Sequence, residues 1–116
     1  MTLETFYKTV GGDLAATTAR LGSAAMAERF LRMFTGDDSF ATLAEAMGAE
    51  DVQRAFRAAH TLKGVAANLG LERLRETASA LTEALRAGNL QEAKGLFPPT
   101  EEAYRQVCAG IGALEA

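Results

Sequence analysis

The sequence of 116 residues holds one cysteine, one histidine, two prolines and no tryptophan. A lone cysteine, Cys108, leaves no internal disulfide to form, so a reducing cytoplasm is the expected setting. One histidine and one cysteine, far apart and without a Glu-x-x-His or Cys-x-x-Cys-His pattern, give no basis for a metal or haem bundle. With no second histidine to act as a base, a serine hydrolase lacks its parts if His60 has another role. No apolar run approaches a membrane span, and the opening MTLETFYKTV lacks the basic-then-apolar form of a secretory leader. Neither a membrane nor nucleic acid is expected as a partner, since the net charge of −3 speaks against a phosphate-binding surface. Gly11-Gly12 has no Lys-Ser/Thr after it and reads as a helix break rather than a phosphate loop. Asp37-Asp38 lacks calcium-loop spacing and reads as a cap.

What is present points to helices. Hydrophobic residues make up 48% and charged residues 23%, the mix of a globular chain. Alanine is abundant and β-branched residues are sparse, which favours helix over strand. The length fits one domain over 1–116 with a single modest core.

Leu3 to Val10 reads as a short helix ended by Gly11-Gly12, and Asp13 as the cap of a second that stops at Gly22. Ser23 caps a helix with Met26, Phe30, Met33 and Phe34 on one side. Ser39 starts another with Phe40, Leu43 and Met47, closed by Gly48. Asp51 to Leu69 and Leu71 to Ala87 are the longest segments, stopped by Gly70 and Gly88. The second carries the stripe Leu71, Leu74, Ala78, Leu81 and Leu85. Asn89 and Glu92 resemble a cap for a short stretch through Phe97. Pro98-Pro99 then suits the first turn of a separate final helix with Tyr104, Val107, Ile111 and Leu114. These stripes are expected to be core. Short connections favour antiparallel neighbours, so the predicted fold is all-α: an up-and-down four-helix bundle with additional short N-terminal helices.

Chemistry shows in one place, the segment from Ala55 to Gly70. It holds the only histidine, followed four residues later by a glycine inside a helix. With His60 at zero and about 100° per residue, Val52, Ala55, Ala59, Leu62, Ala66 and Leu69 share an arc centred about 125° away. Gln53, Arg57, Thr61, Gly64 and Asn68 fall on the histidine's side, and Phe56 and Lys63 flank it toward the core. His60 therefore belongs to the solvent face. Lys63, at i+3, can reach the space beside the imidazole and attract a phosphoryl group carried there. Helical side chains lean toward the N-terminus, so a side chain at 64 would cover that ground; Gly64 leaves it open. An exposed imidazole is nucleophilic near neutral pH.

The string His60-Thr61-Leu62-Lys63-Gly64, continued by Val65-Ala66-Ala67-Asn68-Leu69-Gly70 and preceded by Ala55-Phe56-Arg57-Ala58-Ala59, resembles the signature of histidine-containing phosphotransfer (HPt) domains of two-component phosphorelays. The likeness covers most of the chain beyond the first twenty residues. It implies that His60 is the phosphoryl acceptor and donor, Lys63 the residue that offsets phosphoryl charge, and Gly64 the glycine that lets a partner dock closely. The implied partners are response-regulator receiver domains, with a hybrid histidine kinase as a possible source. The implied chain is a monomeric carrier rather than an enzyme. It would hold no cofactor, with magnesium and most catalytic groups on the receiver, which suffices because phosphoryl transfer is largely positioning and electrostatics. Many members carry small hydroxyl residues after the glycine, where this chain has Val65-Ala66, so no serine there can orient His60.

Two other readings compete. A phosphoacceptor domain of a chemotaxis-type histidine kinase has a similar motif and would take its phosphoryl group from a kinase using ATP. A non-catalytic helical adaptor would leave His60 incidental.

Overall fold

A computed structural model describes residues 1–115. Those residues form seven helices and no strand: α1 (Leu3–Thr9), α2 (Leu14–Leu21), α3 (Ala24–Phe34), α4 (Ser39–Gly48), α5 (Val52–Asn68), α6 (Glu72–Arg86) and α7 (Leu90–Gly112). Most starts are set by side chains that accept the otherwise unpaired amides of a first turn, though the N-cap residues of α4 and α6, Asp38 and Leu71, make no such bond. Asp13 accepts from Ala16 N at 3.0 Å, Ser23 from Met26 N at 3.1 Å, Asp51 from Arg54 N at 3.1 Å and Asn89 from Glu92 N at 3.1 Å. Asp37 accepts from Ser39 N at 2.8 Å, the capping role its position suggested.

Helices α4 to α7 make the expected antiparallel four-helix bundle. Each packs on the next in sequence, and three-residue connections leave no room for anything but a reversal. Helix α5 lies between α4 and α6, and Ala55, Ala58, Ala59 and Ala66 keep its buried side low enough for both to approach. Because two neighbours flank it, the buried arc extends to Ala58, one residue beyond the periodic stripe. Side chains link α4 to α7: Phe40 stacks on Tyr104 with centroids 4.1 Å apart and on Phe97 at 5.8 Å. Among the described residues, no helix is long and apolar enough to cross a membrane.

The structure corrects the sequence reading at two elements. The predicted break at Pro98-Pro99 does not occur: both prolines lie inside one continuous α7. Prolines at these positions deprive the carbonyls of Lys94 and Gly95 of amide donors. Lys94, Gly95, Pro98 and Pro99 are all exposed, so water can serve the freed carbonyls. Ala93 and Thr100 on either side are buried and hold both halves to the core. The second correction concerns α3, where Met33 is not core but 61% exposed. The buried residues of α3 are Ala27, Leu31 and Phe34; Met26 and Phe30 are half-buried, Phe30 against the edge of the core, and Met33 faces outward.

The short N-terminal helices close one end of the bundle. Phe6, Tyr7 and Val10 of α1 are buried, and Phe6 sits so close to α7 that a Cβ at Gly110 would meet its ring at 2.7 Å. Several groups converge on the end of α5. Tyr7 Oη donates to Leu69 O at 2.7 Å, Thr17 Oγ1 to the same oxygen at 3.2 Å, and Asp13 N to Gly70 O at 2.9 Å. Arg20 adds Nη2 to Ala67 O at 2.9 Å and Nε to Asn68 O at 3.1 Å. Helix C-terminal carbonyls lack amide partners and carry partial negative charge, so an arginine there satisfies both needs. Gly70, at φ +68, makes the turn that brings these partners together.

Candidate functional site

His60 stands near the middle of α5 with its side chain exposed, as the phase of the helix required. Gln53, Arg57, Thr61, Gly64 and Asn68 are exposed beside it, while Ala55, Ala59, Leu62, Ala66 and Leu69 are buried. A Cβ built at Gly64 would find no heavy atom within 4 Å, so the position opens to solvent and no packing demands a glycine. Lys63 is half-buried and, among the described residues, makes no ion pair. Arg57, three residues before the histidine, is likewise unpaired among the described residues. Two cations thus bracket the imidazole along the helix.

The imidazole has no hydrogen-bond partner among the described residues. The neighbouring hydroxyl is spent elsewhere, since Thr61 Oγ1 donates to Arg57 O at 3.0 Å. The aromatic neighbour of the ring is Phe56, one turn back, stacked at a centroid distance of 6.0 Å and an interplanar angle of 18°. The Arg86 guanidinium of α6 also lies over Phe56, 4.9 Å from the ring centroid, and its Nε donates to Glu83 Oε2 at 3.0 Å.

On its other flank His60 borders an open groove of about 520 Å³ between α3 and α5. Phe30, Met33, Phe34, Val65 and Leu69 give it an apolar lining, and Asp37, Thr61 and Asn68 add polar groups. The sequence placed His60, Lys63 and Gly64 on one face, and the structure keeps them there. It did not foresee the α3 wall, because a stripe of Met26, Phe30, Met33 and Phe34 looks like core. The apolar residues of α3 outnumber the Ala27, Leu31 and Phe34 that it buries, but which of them wall the groove depends on how much of the helix the bundle covers. Nor did the motif disclose Arg20, Tyr7 and Thr17, which reach the carbonyls at the end of α5 from far away in sequence.

Among the described residues, no group of three or more His, Cys, Asp or Glu side chains could hold a metal ion. The chemistry available on this face is therefore that of one accessible imidazole beside an apolar groove, with unpaired cations at i−3 and i+3.

No curated protein and no solved structure matches the chain. A family model described as the Hpt domain matches residues 25–116, which include α3 from its second residue, α4 to α7, His60 and the whole groove. The segment carrying α1 and α2 precedes the match. Coverage of well over half the chain, on a helical bundle of the expected form, is decisive: the protein belongs to the Hpt domain family, whose function is histidine phosphotransfer in phosphorelays.

Proposed function

We propose that this chain is a phosphoryl carrier in which His60 takes a phosphoryl group from the aspartyl phosphate of a response-regulator receiver domain and passes it to another receiver, or returns it. The observation that carries this reading is the setting of the one histidine. It lies exposed at the middle of α5, inside the family match, with open space one turn beyond it at Gly64.

In the forward step an imidazole nitrogen attacks phosphorus, the N–P bond forms, and the P–O bond to the aspartate breaks as its carboxylate leaves. The ring proton passes to solvent or to the partner. The carrier's contribution is access and charge. Gly64 lets the receiver approach His60, and Lys63, free of competing carboxylates among the described residues, offsets phosphoryl charge. Magnesium and the remaining catalytic groups belong to the receiver. The apolar groove beside His60 supplies area for docking, and a small apolar patch next to exposed polar groups suits a transient complex.

The test is to incubate the purified chain with radiolabelled, phosphorylated receivers and, separately, with histidine kinases and ATP. Label moving from receiver to chain and on to a second receiver is the expected result. Labelling by kinase and ATP alone, with no exchange with any receiver, would replace this reading with that of a kinase phosphoacceptor domain.

A further inference from the structure

A phosphoryl carrier must present its nitrogen in one direction, yet no hydrogen bond among the described residues fixes the His60 ring. Rotation about the two side-chain torsions of an exposed histidine is fast, and each misdirected rotamer is unproductive when a receiver docks. Something other than a hydrogen bond has to limit that freedom.

Positions 56, 60 and 64 lie on one i, i+4 row of α5. Helical side chains lean toward the N-terminus, so the imidazole at 60 leans over position 56, while the absent side chain at 64 leaves the far side of the ring open. The residue beneath is Phe56. Its ring is nearly parallel to the imidazole, at 18° and 6.0 Å between centroids. Phe56 is itself held: it packs against the core cluster and has the Arg86 guanidinium over it at 4.9 Å, with Arg86 tethered to Glu83. The row thus has a core-packed aromatic floor on one side of the imidazole and open space on the other.

Given the phosphocarrier role proposed above, we infer that Phe56, braced by Arg86 across from α6, is a positioning residue for His60: its ring face limits the imidazole to the orientation in which the docked receiver meets it. Phe56 does not touch the phosphoryl group. It acts by reducing the rotamers that compete with the productive one. Aromatic contacts of this kind change populations by about three- to tenfold, which sets the expected effect on transfer.

His60 is the sole histidine, so its carbon-bound ring protons give an unambiguous pair of NMR signals. In the full chain, Phe56→Leu keeps an apolar side chain against the core but removes the aromatic face, whereas Phe56→Tyr keeps the face. Phe56→Leu should move the imidazole proton shifts toward those of a free histidine and average its side-chain couplings. At saturating receiver it should slow transfer about three- to tenfold, while labelling by phosphoramidate, which needs no docked orientation, stays near wild type. Phe56→Tyr should retain both the shifts and the transfer rate, and Arg86→Gln should show a weaker form of the leucine effect. Imidazole shifts and couplings in Phe56→Leu identical to wild type would overturn the inference, whether or not any receiver reacts. So would equal slowing in the leucine and tyrosine variants, or loss of the helical fold in Phe56→Leu, which would make the ring a core residue only. If instead neither phosphoramidate nor any receiver labels wild-type His60, the carrier reading fails, and the NMR comparison still decides whether Phe56 holds the ring.

Discussion

Replacing Gly64 separates what the fold needs from what docking needs. In an ordinary helix interior, glycine is less favourable than alanine by about 1 kcal/mol. The same change, read through the unfolded chain, is worth about 0.4–1 kcal/mol. Either gain is lost if a new side chain collides with its surroundings. At Gly64 a Cβ meets nothing within 4 Å, so the whole gain should appear. Gly64→Ala is therefore expected to raise the melting temperature by roughly 2–6 °C for a domain of this size, and Gly64→Gln by a similar amount, its amide reaching solvent. Function should move the other way for glutamine, whose side chain leans back over the open side of the His60 ring. Thermal melts followed by circular dichroism give the first quantity. Labelling by phosphoramidate and transfer from a phosphorylated receiver give the second and third. The expected pattern is a stabilised Gly64→Gln that phosphoramidate still labels but that transfers poorly with receivers. A destabilised Gly64→Gln would show that the glycine serves packing. Normal receiver transfer in that variant would refute the steric argument even with His60 as nucleophile.

Three other perturbations follow from the same structure. Lys63→Ala should change stability by less than about 0.5 kcal/mol, slow receiver transfer, and be partly rescued by Lys63→Arg; equal rates in all three proteins would make the lysine a mere surface residue. Arg20→Ala removes donors from Ala67 O and Asn68 O and should cost about 1 kcal/mol, with faster amide exchange at the end of α5; unchanged melting and exchange would show the contact to be idle. The two phenols report on alkaline unfolding. Burial raises Tyr7 above its ordinary value of 10.0, and burial with Cys108 alongside pushes Tyr104 up to about 12. Because the folded state holds these protons more tightly than the unfolded chain, their contribution is complete below pH 10 and is lost as pH rises through the raised values, about 12 for Tyr104. Absorbance of tyrosinate should therefore rise late and together with loss of helicity; phenolate formation near pH 10 in a fully helical protein would contradict the burial.

Much of the fold was legible because helix boundaries are local chemistry. Asp13, Ser23, Asp51 and Asn89 each accept the amide three residues on, and Gly22, Gly70 and Gly88 adopt positive φ where stops were expected. The exposed face of α5 was legible for the same reason, since phase alone decides that His60 and Gly64 point outward when both flanking helices lie on the far side. Two features depended on solvent and neighbours instead. Whether Pro98-Pro99 breaks a helix turns on whether the carbonyls it strands can reach water, and here they sit on an exposed face between buried Ala93 and Thr100. The apolar stripe on α3 could not be divided into core and groove wall without knowing how much of it the bundle covers. The support of α5 by Arg20, Tyr7 and Thr17 joins residues 48 to 62 positions apart, and no pattern within either segment announces it.

The central claim is that His60 carries the phosphoryl group, and a single comparison tests it: labelling of wild type and His60→Gln by a phosphorylated receiver, followed by treatment of the product with acid and base. The exposed site, with the imidazole outside the core, predicts that His60→Gln keeps its helicity and melting temperature. It also predicts that wild type gains an acid-labile, base-stable label that the variant wholly lacks. Undiminished labelling of a folded His60→Gln would contradict the account, because no other histidine exists in the chain to take its place.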